Sequence, residues 1–90
     1  MRTLHLDEES GAMAVMTRLQ AGAFIPAHYH THADETVFVL RGELVEDGVA
    51  YPAGSFFHGA KGTVHGPHKT KTGCILLTHF SAKLDFMMVE

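Results

Sequence analysis

Cysteine is nearly missing. Cys74 stands alone, so no disulfide can form within the chain. The opening residues, MRTLHLDEES, carry three acids where a secretory leader would carry apolar residues. Both features lead to the expectation of a reducing, cytoplasmic compartment. Charge is scarce as well. The basic residues Arg2, Arg18, Arg41, Lys61, Lys69, Lys71 and Lys83 are scattered apart from Lys69 and Lys71, and the formal net charge is -3. That leaves no broad cationic surface for a phosphate backbone, so no nucleic acid is expected as a partner. No apolar run approaches the length of a membrane helix, so no membrane role is expected either. Helical periodicity, internal repeats, linkers and low-complexity tracts are also absent. One domain spanning residues 1–90 is the expectation, with a core small enough that a metal or a second subunit would be useful support.

Histidine, by contrast, is abundant. The chain has eight, and six lie between positions 28 and 68. Each brings two ring nitrogens that need partners, which a packed core does not supply by itself. Glycine is spread along the whole chain, and between the glycines lie short runs rich in Val, Phe, Leu, Thr and Tyr. Short strands with glycine turns read as an all-β sandwich or barrel. The expected strands are Ala12–Leu19, Ala23–His30, Glu35–Arg41, Gly42–Glu46, Val49–Tyr51, Ser55–His58, Thr63–His68 and Cys74–Phe80. Asp47-Gly48 predicts a two-residue hairpin turn, and Pro52-Ala53-Gly54 a second turn. The apolar tail, Leu84–Glu90, is expected to cover the barrel or a partner subunit.

Strand parity turns the stretch AHYHTHADETVFVL (Ala27–Leu40) into geometry. His28 and His30 are two apart and leave the same face of a strand. Glu35 opens the returning strand and shares its face with Val37 and Val39. A hairpin that lays Glu35 over the two histidines makes two imidazoles and a carboxylate converge. His65, after the Lys61-Gly62 turn, is the best candidate for a third imidazole. A shifted set using His30 and His32 is the alternative. Such donors suit iron(II), zinc, manganese, nickel or cobalt better than calcium or magnesium.

The stretch from Gly22 to Gly42 resembles the first motif of the cupin superfamily: a glycine, five residues, His28-Tyr29-His30, four residues, Glu35, six residues, a glycine. The stretch from Gly54 through Gly62 and His65 to Lys69 resembles the second motif, with Ala60 and Lys69 where the family often has proline and asparagine. Within the superfamily, Tyr51-Pro52-Ala53-Gly54, His65-Gly66-Pro67-His68 and Gly73-Cys74-Ile75-Leu76-Leu77 resemble the subgroup of ChrR-type anti-sigma-factor cupins and acetylacetone-cleaving dioxygenases. The resemblance implies a double-stranded β-helix, or jelly-roll barrel, with both motifs in residues 22–69. It implies one divalent metal, iron(II) or zinc first, held by His28, His30 and His65. Glu35 would be the fourth ligand in the zinc pattern and is surplus to the three-histidine iron pattern.

An iron(II) site of this kind can activate O₂, and another divalent ion can polarise a carbonyl or enolate. The expected function is therefore a dioxygenase-like enzyme acting on a small enolisable or oxygenated substrate, with Glu35 as either ligand or catalytic base. The alternatives are a non-catalytic metal-binding or sensing domain and a non-redox Lewis-acid enzyme such as an isomerase. His32 is expected on a loop at the mouth, and His58 and His68 at the barrel rim or against substrate. Asp34 reads as solvated or as holding a ligand ring from outside. Cys74 reads as a core residue, and Phe24, Phe38, Phe56, Phe57 and Phe80 as core or pocket wall. The expected partners are a small-molecule ligand and a second copy of the chain, which would hide exposed strand edges.

Overall fold

In the computed structural model, which describes residues 1–89, every regular element is a β-strand. Three long strands make the frame: β2 (Met13–Leu19), β5 (Glu35–Glu46) and β9 (Cys74–Phe80). They lie antiparallel in the order β2-β9-β5, and β1 (Arg2–Leu6) extends the sheet beyond β2. Alternation puts Val15, Thr78 and Val37 in one inward row across the three strands, while Met16, Leu77 and Phe38 form the outward row beside it.

Strand β5 shapes the molecule. Its first half pairs with β7 (Phe56–Gly59) and β9, and its second half pairs with β6 (Val49–Pro52) and β8 (His68–Lys69). A bulge between Val39 and Arg41 adds a residue and flips the parity of the strand. Glu35, Val37 and Val39 face inward before it, and Leu44 and Glu46 after it. Gly42 follows the bulge with φ +75°, and a Cβ there would run into the Gly73 carbonyl oxygen. Only glycine fits that crossing. The hairpin after Glu46 turns on Asp47 (φ 47°) and Gly48 (φ 80°), two left-handed residues whose twist suits the flanking strands.

The remaining strands are short. β3 (Phe24–Ile25) pairs with β8, and β4 (His28–Tyr29) pairs with β10 (Met87–Met88). Their brevity corrects several expected boundaries. Ala23–His30 is not one strand: Pro26 has no amide hydrogen and separates β3 from β4. Glu35–Arg41 and Gly42–Glu46 are one continuous strand, because the bulge bends the ladder without ending it. Of the expected strand Thr63–His68, residues 63–67 are a connection with only an isolated bridge between His65 and His28, and strand pairing begins at His68 in β8. β1 was not expected.

The interior has two apolar clusters. Val37, Val39, Leu44, Cys74 and Leu76 form one, and Val15, Ala33 and Phe80 the other. Burial pushes the Cys74 thiol up, as expected of a core residue rather than a reactive one. Phe80 is buried and Phe57 partly so, but Phe24, Phe38 and Phe56 are exposed. The last two occupy the outward parity of their strands, so they are not pocket wall.

Candidate metal centre

His28 of β4 and His65, in the connection before β8, exchange both backbone hydrogen bonds (2.9 and 2.8 Å), which clamps the two chain segments side by side. The loop after Ala60 is fastened over His30, whose carbonyl accepts the Gly62 N–H at 2.8 Å. Asp34 helps from the other side by accepting the Lys61 N–H at 2.8 Å. That contact is a loop clamp, not the solvated or ring-holding role expected for Asp34. Gly59 is needed for room, since a Cβ there would lie 2.6 Å from the His65 ring.

These clamps bring four side chains together. His28, His30, Glu35 and His65 each offer a donor atom, and those atoms all lie within 4.8 Å of one another. The three imidazoles are buried, and ring centroids are 5.0 Å apart for His28–His30 and His30–His65 and 5.3 Å for His28–His65. Each of the four expected site residues is therefore in the cluster. His32 is exposed and outside it, as are His5, His58 and His79. His58 instead shares a 3.1 Å hydrogen bond with the Thr36 hydroxyl.

Hydrogen bonding decides which ring nitrogens face inward. His28 Nδ1–H donates to the Pro26 carbonyl (2.9 Å), and His30 Nδ1–H donates to the Asp85 carbonyl (2.6 Å). A carbonyl can only accept, so both rings carry a hydrogen on Nδ1 and, as neutral imidazoles, present their Nε2 lone pairs to the cluster. The His30 Nε2 lone pair then faces Glu35 Oε2 at 3.0 Å. Two acceptors at that distance repel unless a proton or a cation lies with them. His65 Nδ1 is 3.7 Å from the same oxygen, and His65 Nε2 is buried without a partner among the described residues. Burial, opposed by Glu35 and reinforced by His30 and His28, holds the His65 imidazole below its usual range. Three buried imidazoles, a carboxylate and a buried nitrogen with no partner among the described residues are a donor set that fits a transition-metal ion.

The cluster borders a cavity of about 90 Å³ lined by His28, Glu35, Phe57, Phe80, Phe86 and His68 among others. His68, expected at the rim or against substrate, is buried on the cavity wall; its Nε2 lies 3.3 Å from Glu46 Oε1, and its Nδ1 has no partner among the described residues. The His68 hydrogen bond holds the Glu46 carboxyl below the usual range despite its partial burial. Sequence reasoning missed this pair, because the bulge that turns Glu46 inward leaves no signal in local alternation. A wider depression of about 420 Å³ beside Arg18 and Arg41 is remote from this chemistry, since none of the four clustered residues borders it.

A bent β5 shared between two sets of strands, with the cluster at the edge of the barrel interior, defines the cupin fold. The ChrR cupin-like domain model matches residues 1–83, and the chain belongs to that family. Solved structures agree on the fold. An acetylacetone dioxygenase from Acinetobacter johnsonii matches with a TM-score of 0.80 and 20% identity, over 93% of this chain and 60% of that one. KdgF from a Halomonas species matches at 0.79 and 21%, over 90% and 76%. A double-stranded β-helix protein from Klebsiella pneumoniae matches at 0.82 and 21%, over 100% and 79%. The chain thus spans about 60% of the length of the Acinetobacter dioxygenase. No protein with a curated description matches. No helix among the described residues is long and apolar enough to cross a membrane.

Proposed function

We propose that this chain is a metal-binding cupin with dioxygenase-like activity on a small enolisable or oxygenated organic substrate, such as a β-diketone or hydroxyketone. The observation that carries the reading is the convergence of donor atoms from His28, His30, Glu35 and His65 beside a small cavity with mostly apolar walls. His28, His30 and His65 would hold the ion through neutral imidazoles. Iron(II) is the ion this reading requires, and it would supply O₂ activation and a Lewis acid for the substrate oxygens. Zinc, manganese, nickel or cobalt would supply the Lewis acid alone.

Glu35 has two roles open to it, and they compete. Bound to the ion it is a fourth ligand; released, it sits beside the cavity as the base that takes the substrate proton. Phe57, Phe80 and Phe86 keep bulk water from the reacting atoms and favour neutral over charged substrates. The modest volume of the cavity favours a small substrate. The test is anaerobic loading with iron(II), followed by O₂ uptake on adding a β-diketone. Uptake matched to substrate consumption supports the reading; none, with one iron per chain in place, rejects it.

A second reading is favoured by the family match to ChrR cupin-like domains and by the compact four-donor set. In it the chain is a non-catalytic metal-binding or sensing domain, and zinc fills all four donors. A non-redox Lewis-acid enzyme, such as an isomerase, is the third. In any of these a homodimer in the cytoplasm is the expected setting, with the outward Phe38 and Phe56, 40% and 63% exposed, as candidate contacts.

A further inference from the structure

The segment after Lys83 lies past the stretch that the family model matches, yet it supplies the shortest hydrogen bond to His30 and an aromatic ring beside both His28 and His30. The Asp85 carbonyl accepts the His30 Nδ1–H at 2.6 Å. The carboxylate of the same residue accepts the Thr31 N–H at 2.7 Å. Asp85 therefore grips two successive residues, one through its backbone and one through its side chain. Met87 and Met88 then pair with Tyr29 and His28 across β10 and β4. Between these anchors, the Phe86 ring packs against both imidazoles, with centroids 5.3 Å from His28 and 5.0 Å from His30. Both histidines are thus backed from one side by residues 85–88.

We propose that Asp85–Met88 is a positioning strap for the metal centre, in which the Asp85 carbonyl sets the His30 tautomer and ring angle that present Nε2 to the cluster. The role follows from what each group can do. A carbonyl oxygen cannot donate, so the nitrogen it meets must carry the hydrogen, and the other nitrogen must carry the lone pair. Without this acceptor either tautomer is open to His30, and one of them turns a hydrogen toward the ion's place. The carboxylate clasp on Thr31 matters because it sets where the carbonyl lies. Phe86 hinders the two rings from turning out of line. Asp85 is a positioning residue, since it acts only through His30. The proposal rests on the reading of the cluster as a metal site, but its action on His30 can be measured without a metal.

Two variants of the full chain separate the possibilities. Asp85→Ala removes the clasp, while Asp85→Asn keeps an oxygen that accepts from the Thr31 N–H. Far-UV circular dichroism establishes that both remain folded. Affinity for cobalt(II) is read from visible absorption, and the His30 tautomer from nitrogen-15 NMR of the imidazoles. Outer partners of this kind change metal affinity by roughly 10–100-fold, so Asp85→Ala should weaken cobalt(II) about tenfold or more, with Asp85→Asn within a few-fold of wild type. In the metal-free protein, His30 should carry its hydrogen on Nδ1 in wild type and Asp85→Asn, and on a mixture of nitrogens in Asp85→Ala. Unchanged affinity and unchanged tautomer in a folded Asp85→Ala would overturn the strap. Wild-type protein that takes up no cobalt(II) would instead overturn the metal reading. The tautomer comparison would then decide the strap alone: a mixture in Asp85→Ala supports it, and Nδ1–H throughout rejects it.

Discussion

Two sides of this barrel are built on opposite terms. The side made by β2, β9 and the first half of β5 has long strands in regular register, and its interior is Val15, Val37, Val39 and Leu76. The side that carries β3, β4, β8 and β10 has strands of two residues, and its interior is largely imidazole. Apolar side chains stabilise by leaving water, so the first side holds itself together. Buried imidazoles need partners, and on the second side those partners are carbonyls of Pro26 and Asp85 and carboxylates of Glu35 and Glu46. Stability and chemistry are thus divided between the two. The division predicts that substitutions on the regular side change folding and leave metal binding per folded molecule alone, and that substitutions on the histidine side do the reverse.

The largest expected effect is at the hinge between the sides. Gly42→Val places a side chain against the Gly73 carbonyl at a positive φ, and strain plus overpacking should cost roughly 3–5 kcal/mol in denaturant unfolding. Next comes Val39→Ala, which empties the position of a fully buried residue in the apolar cluster of the regular side and should cost roughly 2 kcal/mol. Its folded fraction should still bind cobalt(II) as wild type does; a changed affinity would break the division.

Glu35→Gln is the mirror case. The amide can donate to His30 Nε2, so the metal-free protein should keep its stability within about 1 kcal/mol, while metal affinity falls about tenfold or more where Glu35 is the fourth ligand and holds where it is the base. Equal loss of both, followed by thermal unfolding with and without metal, would mean that the site is simply part of the core.

The smallest effect concerns pH. The Glu46 carboxyl is held below its ordinary value of 4.5 chiefly by the His68 hydrogen bond. A lowered carboxylate contributes stability that is full above the ordinary value and lost as pH falls through the folded one. Wild type should therefore lose stability more steeply than Glu46→Gln below about pH 4.5, by a modest amount because the pair is only partly buried. Superimposable acid limbs in urea titrations at successive pH values would leave the pair without a stabilising role.

The sequence made one half of this division readable and much of the other invisible. His28, His30, Glu35 and Val37 obey strand parity, so their convergence followed from spacing, and His65 from its place after a glycine turn. Local alternation also found β2 and β9 to within a residue. It could not see the bulge at Val39–Arg41, because a bulge is a property of two strands and not of one. Leu44 and Glu46 consequently changed faces without warning, and the His68–Glu46 pair went with them. The Asp85 carbonyl was illegible for a different reason: a backbone acceptor has no side-chain identity, and it reaches His30 across 55 residues of chain.

The clustered donors make a metal ion the expected occupant of the site. Elemental mass spectrometry of protein purified without a histidine tag is the first check, with wild type and His65→Ala measured in parallel. About one transition-metal ion per chain is expected in wild type, iron or zinc foremost, and its loss in the variant. A wild-type chain that carries no metal and shows no micromolar affinity for iron(II), zinc or cobalt(II) would contradict that expectation.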